Sequence, residues 1–190
     1  MTSRRLFLAV DLPPSAKEAC GRITRELKKT GADVRWVEDA NFHVTLKFLG
    51  DVTEDRVQDI ADACAATGKN HRIFSFSLSG LGAFPSVTAP RVLWVGVRTA
   101  EQPFEHLAQD LDDALARIGF DKEERTFHPH VTIGRVRSPR NRVHLIEVLA
   151  ENKDAFLPQD IPAHGITLFE SQLTPQGAVY TAVQTLPLAA

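Results

Sequence analysis

Two short stretches of the sequence carry nearly the same chemistry: Phe42-His43-Val44-Thr45-Leu46 and Pro129-His130-Val131-Thr132-Ile133. In each, one apolar residue separates a histidine from a threonine, and in an extended strand residues i and i+2 project from the same face. An imidazole and a hydroxyl are therefore aimed the same way, twice. Two such pairs facing each other across a cleft supply two groups that titrate near neutrality and two neutral donors, which suits acid-base chemistry at phosphorus. A lone strand histidine is more often a structural residue, and threonine is simply a good strand former. The doubling sets these four residues apart from that reading.

An offset of 87 residues carries His43 onto His130, and it also carries Leu6-Phe7-Leu8-Ala9-Val10 onto Leu93-Trp94-Val95-Gly96-Val97. Self-similarity at a fixed offset marks an internal repeat. Each half then runs strand, helix, loop and motif strand, with the helices matching less well. Two copies are too few for a solenoid. Residues 1–190 are therefore expected to form a single two-lobed domain with an internal duplication, one H-x-T motif per half. A chain of 190 residues with 43% hydrophobic content can bury one proper core, and no linker or low-complexity tract divides it.

The elements that must position the motifs can be read from periodicity. Leu6 to Val10 is a buried strand, and Pro13-Pro14 opens a helix in which Ala16, Ala19, Cys20, Ile23 and Leu27 recur at helical spacing up to Gly31. The first motif strand runs from Phe42 to Leu49. Thr53 is an N-cap candidate for a helix with Val57, Ile60, Ala61 and Cys64 on one face. Phe74 to Ser79 alternates as a half-buried strand does. A loop from Gly82 to Pro90 leads into a strand from Val92 to Val97 and a helix carrying Leu107, Leu111, Leu115 and Ile118. The second motif strand spans His130 to Val136, followed by a short helix near Val143 to Leu149 and late strands near Ile166 to Leu173 and Val179 to Leu186.

Alternation then sorts the motif strands by face. His43, Thr45 and Lys47 share one face, and Val44, Leu46 and Phe48 the other, which must be the one that packs. On the second strand His130, Thr132 and Gly134 share a face opposite Val131 and Ile133. Strict alternation puts Arg135 on the core side, so its access to the cleft requires a bulge or the end of the strand.

Charge and cysteine usage narrow the classes. The formal net charge of −2 gives no global bias toward nucleic acid, so RNA binding would rest on a local patch such as Arg135, Arg137, Arg140 and Arg142, which reads equally well as a solvated loop. Cys20 and Cys64 stand singly in helical patterns and read as small buried residues in a reducing compartment. Arg4-Arg5 before an apolar run imitates a signal peptide, but Asp11, Pro13 and Pro14 end that run too early. No segment approaches a membrane span. The cytoplasm is the expected location.

Other side chains have plainer roles to set against a functional one. His128-x-His130 together with His43 could make a zinc site, but no carboxylate or cysteine set accompanies it, so no metal is expected. His71, His106, His144 and His164 read as surface or core histidines. Phe7, Phe42, Phe84 and Trp94 could stack on an unpaired base, though such residues are more often core. Phe84, in a Gly-Pro loop, is the one favoured as a base contact, and Trp94 reads as packing.

Three longer stretches resemble the 2H phosphoesterases: Phe42-His43-Val44-Thr45-Leu46-Lys47-Phe48-Leu49-Gly50, Gly82-Ala83-Phe84-Pro85 with Pro90-Arg91-Val92-Leu93-Trp94, and Pro129-His130-Val131-Thr132-Ile133-Gly134-Arg135. More narrowly the chain is similar to the RNA 2',3'-cyclic phosphodiesterases first described as 2'-5' RNA ligases. Arg5-Leu6-Phe7-Leu8-Ala9-Val10-Asp11-Leu12-Pro13 and Glu170-Ser171, Gly177 and Tyr180 fit as well. The resemblance implies an α+β bilobal pseudo-symmetric fold, two antiparallel sheets lining a central cleft with helices outside.

It also implies metal-independent hydrolysis of RNA 2',3'-cyclic phosphate termini to a 2'-phosphate, without a cofactor, with reversible 2'-5' ligation in some members. By resemblance His43 is the general acid and His130 the general base, Thr45 and Thr132 bind the phosphate, and Arg135 is a further ligand contact. The expected partner is an RNA or oligonucleotide with a 2',3'-cyclic phosphate end, bound by a monomer that has no membrane attachment. Two alternatives stay open: a phosphodiesterase acting on 2'-5' oligonucleotides or small nucleotide cyclic phosphates, and a non-enzymatic RNA-binding protein.

Overall fold

Leu6, Leu8 and Val10 are almost completely buried on one side of the first strand, while Phe7 and Ala9 are equally buried on the other. This strand therefore has two faces to satisfy, and the architecture follows from that. The computed structural model describes residues 3–175 and 177–190. In chain order the elements are β1 (Ser3–Asp11), α1 (Pro14–Lys28), β2 (Val34–Trp36), β3 (His43–Thr53), α2 (Val57–Gly68), β4 (Phe74–Ser86), β5 (Ala89–Arg98), α3 (Pro103–Arg117), β6 (His130–Val136), α4 (Arg142–Glu151), β7 (Phe156–Ala163), β8 (Gly165–Leu173) and β9 (Ala178–Pro187).

All ladders between these strands are antiparallel, in the order β7-β4-β5-β6-β3-β1-β8-β9, with β2 added beside β6. The two motif strands β3 and β6 lie side by side at the centre, joined through one residue pair, Val44 opposite Val131. β6 borders one half with β5, β4 and β7 and carries β2, and β3 borders the other with β1, β8 and β9. The halves are therefore one curled sheet pinched at a seam, and the strands diverge on either side of that single pair to open a cleft.

One face of the sheet is sealed by the helices. Ala16, Ala19, Cys20 and Leu27 of α1, Ile60 and Cys64 of α2, Phe104, Leu107, Leu111 and Leu115 of α3, and Leu145 and Leu149 of α4 form one cluster with the inward side chains of the strands. Val44 and Val131 are both fully buried in it, each contributing roughly 1.5–3 kcal/mol through the apolar surface it removes from water. The seam is anchored from behind and left polar in front.

Lys47 departs from the sequence-based expectation. Instead of sharing the cleft face with His43 and Thr45, its side chain is only 8% exposed on the helix side. Its ammonium donates to Asp112 Oδ1 of α3 at 2.5 Å and to the main-chain carbonyl of Asp121 at 2.7 Å, and the Asp112 carboxylate also accepts from the Glu123 amide. The network ties the first motif strand to the loop that leads into the second. A buried charge left without its partner is costly. Lys47→Met is therefore expected to lower the unfolding free energy by about 3–5 kcal/mol in urea titrations, and Lys47→Met/Asp112→Leu to recover most of the loss. Equal destabilisation by the single and double variants would contradict a role as an ion pair.

Three further departures concern element boundaries. The stretch read as a loop from Gly82 to Pro90 is mostly strand, because β4 runs on to Ser86 and turns tightly into β5. Gly82 permits this: a Cβ there would lie 2.1 Å from the Trp94 ring, which rests on its backbone. Thr53 makes no side-chain cap and leads into a single 3-10 turn, Glu54–Arg56, before α2. The strands β2 and β7 had no sequence signal. β2 is only three residues long, and β7 carries Pro162, a residue that argues against a strand.

Candidate active site

The Val44–Val131 pairing fixes the site. Antiparallel running from that pair puts His43 and Thr132 at one end of it and Thr45 and His130 at the other. Since both valines point into the core, all four polar side chains emerge on the opposite face. The two motifs thus meet across a local two-fold relation, each histidine at the same end of the pair as the other motif's threonine. All four are half-buried.

Each ring is held the same way. His43 Nδ1 lies 2.7 Å from the carbonyl oxygen of Asn41, and His130 Nδ1 lies 2.6 Å from that of His128. A carbonyl can only accept, so Nδ1–H is the donor in both cases and the neutral rings present Nε2 to the cleft. His43 Nε2 is 3.0 Å from Thr45 Oγ1, an interaction in which the hydroxyl donates while the ring is neutral.

Aromatic walls complete each pocket. The His43 ring centroid is 4.9 Å from Phe7, 5.3 Å from Tyr180 and 6.0 Å from Phe169, and Phe7 stacks on Phe169 at 5.3 Å. On the other side the His130 centroid is 5.0 Å from Phe84, edge-on, and 6.2 Å from Trp94. Burial among these rings disfavours the imidazolium, pushing His43 from 6.5 down to about 4 and lowering His130 as well. Smaller charge effects differ between the two. On His43, Asp11, opposite it in the β1–β3 ladder, favours a proton while Lys17 and His130 disfavour one; on His130, both His128 and Arg135 disfavour one.

Two equivalent bulges decide which further side chains reach the cleft. In β6, Thr132 pairs with Trp94 and Gly134 with Leu93, leaving Ile133 as an extra residue. Ladder partners share a face, so Gly134 joins buried Leu93 and Arg135 emerges beside Val92 on the face of Trp94 and Thr132. This is the bulge that Arg135 required. Its charge is felt by both His130 and, across the cleft, Tyr180, whose hydroxyl burial otherwise pushes up. In β3 the extra residue is Leu46: Thr45 pairs with Ala9, and Lys47 with Leu8. The same phase change that sends Lys47 to the core sends Phe48 to the cleft beside Phe7, at 6.0 Å between centroids.

Strict alternation assigns Phe48 to the core, yet it is 66% exposed. It borders a cavity of about 80 Å³ shared with Arg5, Phe7, Ser171 and Tyr180. The other aromatic candidates also find places. Phe42 is fully buried core and Phe7 forms the floor under His43. Trp94, read as packing, is half-buried beside Thr132 and His130. Phe84 lies in β4 opposite Val92 rather than in a loop. Among the described residues no group of three or more His, Cys, Asp or Glu is arranged to hold a metal ion, and His128 offers His130 its carbonyl oxygen.

Comparison with known proteins places this geometry in a family. The family model described as LigT like Phosphoesterase matches residues 10–94 and again residues 95–180. The RNA 2',3'-cyclic phosphodiesterase of Methanothermobacter thermautotrophicus is 38% identical over 184 residues, covering 97% of this chain and 98% of its own. That of Thermotoga maritima is 35% identical over 176 residues, covering 93% and 91%. The crystal structure of TT0787 of Thermus thermophilus superposes with a TM-score of 0.82 at 25% identity, covering 97% of both chains. That of E. coli LigT complexed with 3'-AMP shares the fold with a TM-score of 0.71 at 24% identity over the whole of both chains. The chain belongs to the LigT-like phosphoesterases, the 2H phosphoesterase family.

Proposed function

We propose that this protein hydrolyses RNA 2',3'-cyclic phosphate termini to 2'-phosphates, using His43 as acid and His130 as base. The observation that carries the reading is the placement of two Nε2 atoms, each with its tautomer fixed by a main-chain carbonyl, on one face of the seam beside two threonine hydroxyls. Opening a cyclic phosphodiester needs a proton removed from the attacking water and another delivered to the leaving ribose oxygen on the far side of phosphorus. One group cannot do both at once. His130 Nε2 takes the water proton as oxygen attacks phosphorus, the bond from phosphorus to O3' breaks, and His43 Nε2–H protonates O3'. The 2'-phosphate and a free 3'-hydroxyl remain, and the two histidines exchange their protons with solvent. With a 5'-hydroxyl in place of water the same steps join a 2'-5' linkage, His130 taking the hydroxyl proton and His43 protonating the departing O3', and their reverse cleaves that linkage.

The division into acid and base follows the resemblance to the family, since nearby charges act both ways on His43, with Asp11 favouring its proton and Lys17 and His130 disfavouring it. Thr45 and Thr132 donate to the non-bridging oxygens, where charge accumulates. Arg135 supplies a permanent cation beside them. Phe84, edge-on to His130, and Phe48, with its open ring, are the surfaces offered to the base. We read the two halves as copies of one unit and the protein as a cytoplasmic monomer. Cys20 and Cys64, both free and buried, suit a reducing compartment. No helix among the described residues is long and apolar enough to cross a membrane.

The experiment is a pH series with a defined cyclic phosphate. The active form carries one proton on the histidine pair, so rate follows a bell centred between two apparent pKa values that belong to the pair. Burial lowers both in the free protein, one of them to about 4. The kcat/KM bell is therefore expected to centre below pH 6.5, the ordinary histidine value. A bound phosphodiester anion favours the imidazolium, so the kcat bell is expected to shift to higher pH. Rates that rise monotonically with pH through neutrality would contradict the two-histidine reading.

A further inference from the structure

We propose that Arg35 extends the cation at Arg135 outward and holds the RNA phosphate backbone on the 5' side of the terminal ribose, so that the site is built for oligonucleotides rather than mononucleotides. The proposal rests on the phosphodiesterase reading above and names the substrate class it serves. Its basis is the β2–β6 ladder, in which Val34 pairs with Val136, Arg35 with Arg135 and Trp36 with Gly134. Val34 and Trp36 turn inward, close over Gly134 and pack against the core. Arg35 therefore stands on the other face, directly opposite Arg135 and on the same side as Thr132 and Trp94.

Like charges facing each other across a ladder destabilise it. Among the described residues neither guanidinium has a carboxylate at ion-pair distance. Some arginines elsewhere do pair with carboxylates, Arg4 with Glu170 at 2.7 Å and Arg25 with Asp39 at 3.3 Å. Two unneutralised guanidinium groups, about 5 Å apart at their bases, form a line that starts beside the reacting phosphate at Thr132 and leads outward over the seam. A single small anion needs only the inner member of such a line. A strand with a phosphate at every nucleotide uses the outer one too, and Arg matches phosphate bidentately.

The test measures equilibrium binding of two product-like probes, a pentaribonucleotide with a terminal 2'-phosphate and a mononucleoside 2'-phosphate, across a range of salt. Arg35→Gln is expected to weaken the pentamer about tenfold at low salt and to make the slope of log K against log salt shallower by about 0.7, the loss of one phosphate contact on a single strand. Binding of the mononucleotide should change little, and Arg35→Lys should keep the steeper slope. Equal weakening of both probes, or an unchanged pentamer slope, would overturn the proposal. Because binding is read without turnover, failure of the hydrolytic reading shows separately, as an unmodified protein that binds the pentamer but leaves a cyclic phosphate intact.

Discussion

Replacing either His43 or His130 with alanine should lower turnover of an RNA 2',3'-cyclic phosphate by about 10²–10⁴, the usual contribution of a positioned acid or base. The effect should fall on kcat, because the lost proton transfers belong to the transition state. The fold should survive. Both rings stand on the open face of strands anchored by Val44 and Val131, which are fully buried behind them, and each ring makes one hydrogen bond to a main-chain carbonyl within its own segment. The two losses should not multiply in the double variant, since acid and base act in one event. The pH profile supplies an independent reading: each single variant should lose one limb of the bell. If both single variants keep near-normal activity, the assignment of this site to catalysis is wrong.

The second large effect separates the threonines from the arginine. Thr45→Val and Thr132→Val keep strand preference and shape but delete one donor each, at a cost of about 2–4 kcal/mol in the transition state by analogy with a lost oxyanion-hole donor. Turnover should fall more than binding. Thr45 carries an added expectation, since its hydroxyl lies 3.0 Å from His43 Nε2 in the free protein; its removal should also alter the limb of the pH profile that reports His43. Arg135→Ala removes a charge that substrate and transition state both feel, so KM should rise at least as much as kcat falls, and most visibly at low salt. Arg135 is exposed beyond the bulge and carries no core packing. If Arg135→Ala unfolds the protein while the folded remainder stays fully active, the arginine belongs to the scaffold.

Much of this site is legible from periodicity alone. The apolar residue inside each H-x-T fixes which face packs, and so which face is left for chemistry. The pairing of the two motif strands through Val44 and Val131 is not legible, because the chain from one to the other spans a helix, a hairpin and a second helix. That a cleft forms there follows from divergence after one pair, a property of the folded sheet.

The faces of Lys47 and Phe48 show where alternation fails. A bulge is one extra residue, invisible to a period of two, and it reverses every assignment after it. The information needed was nevertheless in the sequence. The offset of 87 that relates His43 to His130 also carries Leu46 onto Ile133, Lys47 onto Gly134 and Phe48 onto Arg135. A bulge is required to bring Arg135 into the cleft, and the same reasoning applied to the first motif strand turns Phe48 outward and Lys47 inward. The equivalent positions then differ in chemistry: one half offers an open aromatic ring, the other a cation. Strand β2 escapes notice because three residues carry no period, yet it places Arg35 opposite Arg135.

The most direct test of the central claim is the identity of the product. An RNA ending in a 2',3'-cyclic phosphate, incubated with the protein in 18O-labelled water and excess EDTA, should gain the mass of one labelled water. Its terminus should carry a 2'-phosphate and a free 3'-hydroxyl, with the label on phosphorus. A 3'-phosphate product would reverse the acid and base sides, and activity abolished by EDTA and restored by zinc would contradict two-histidine catalysis outright.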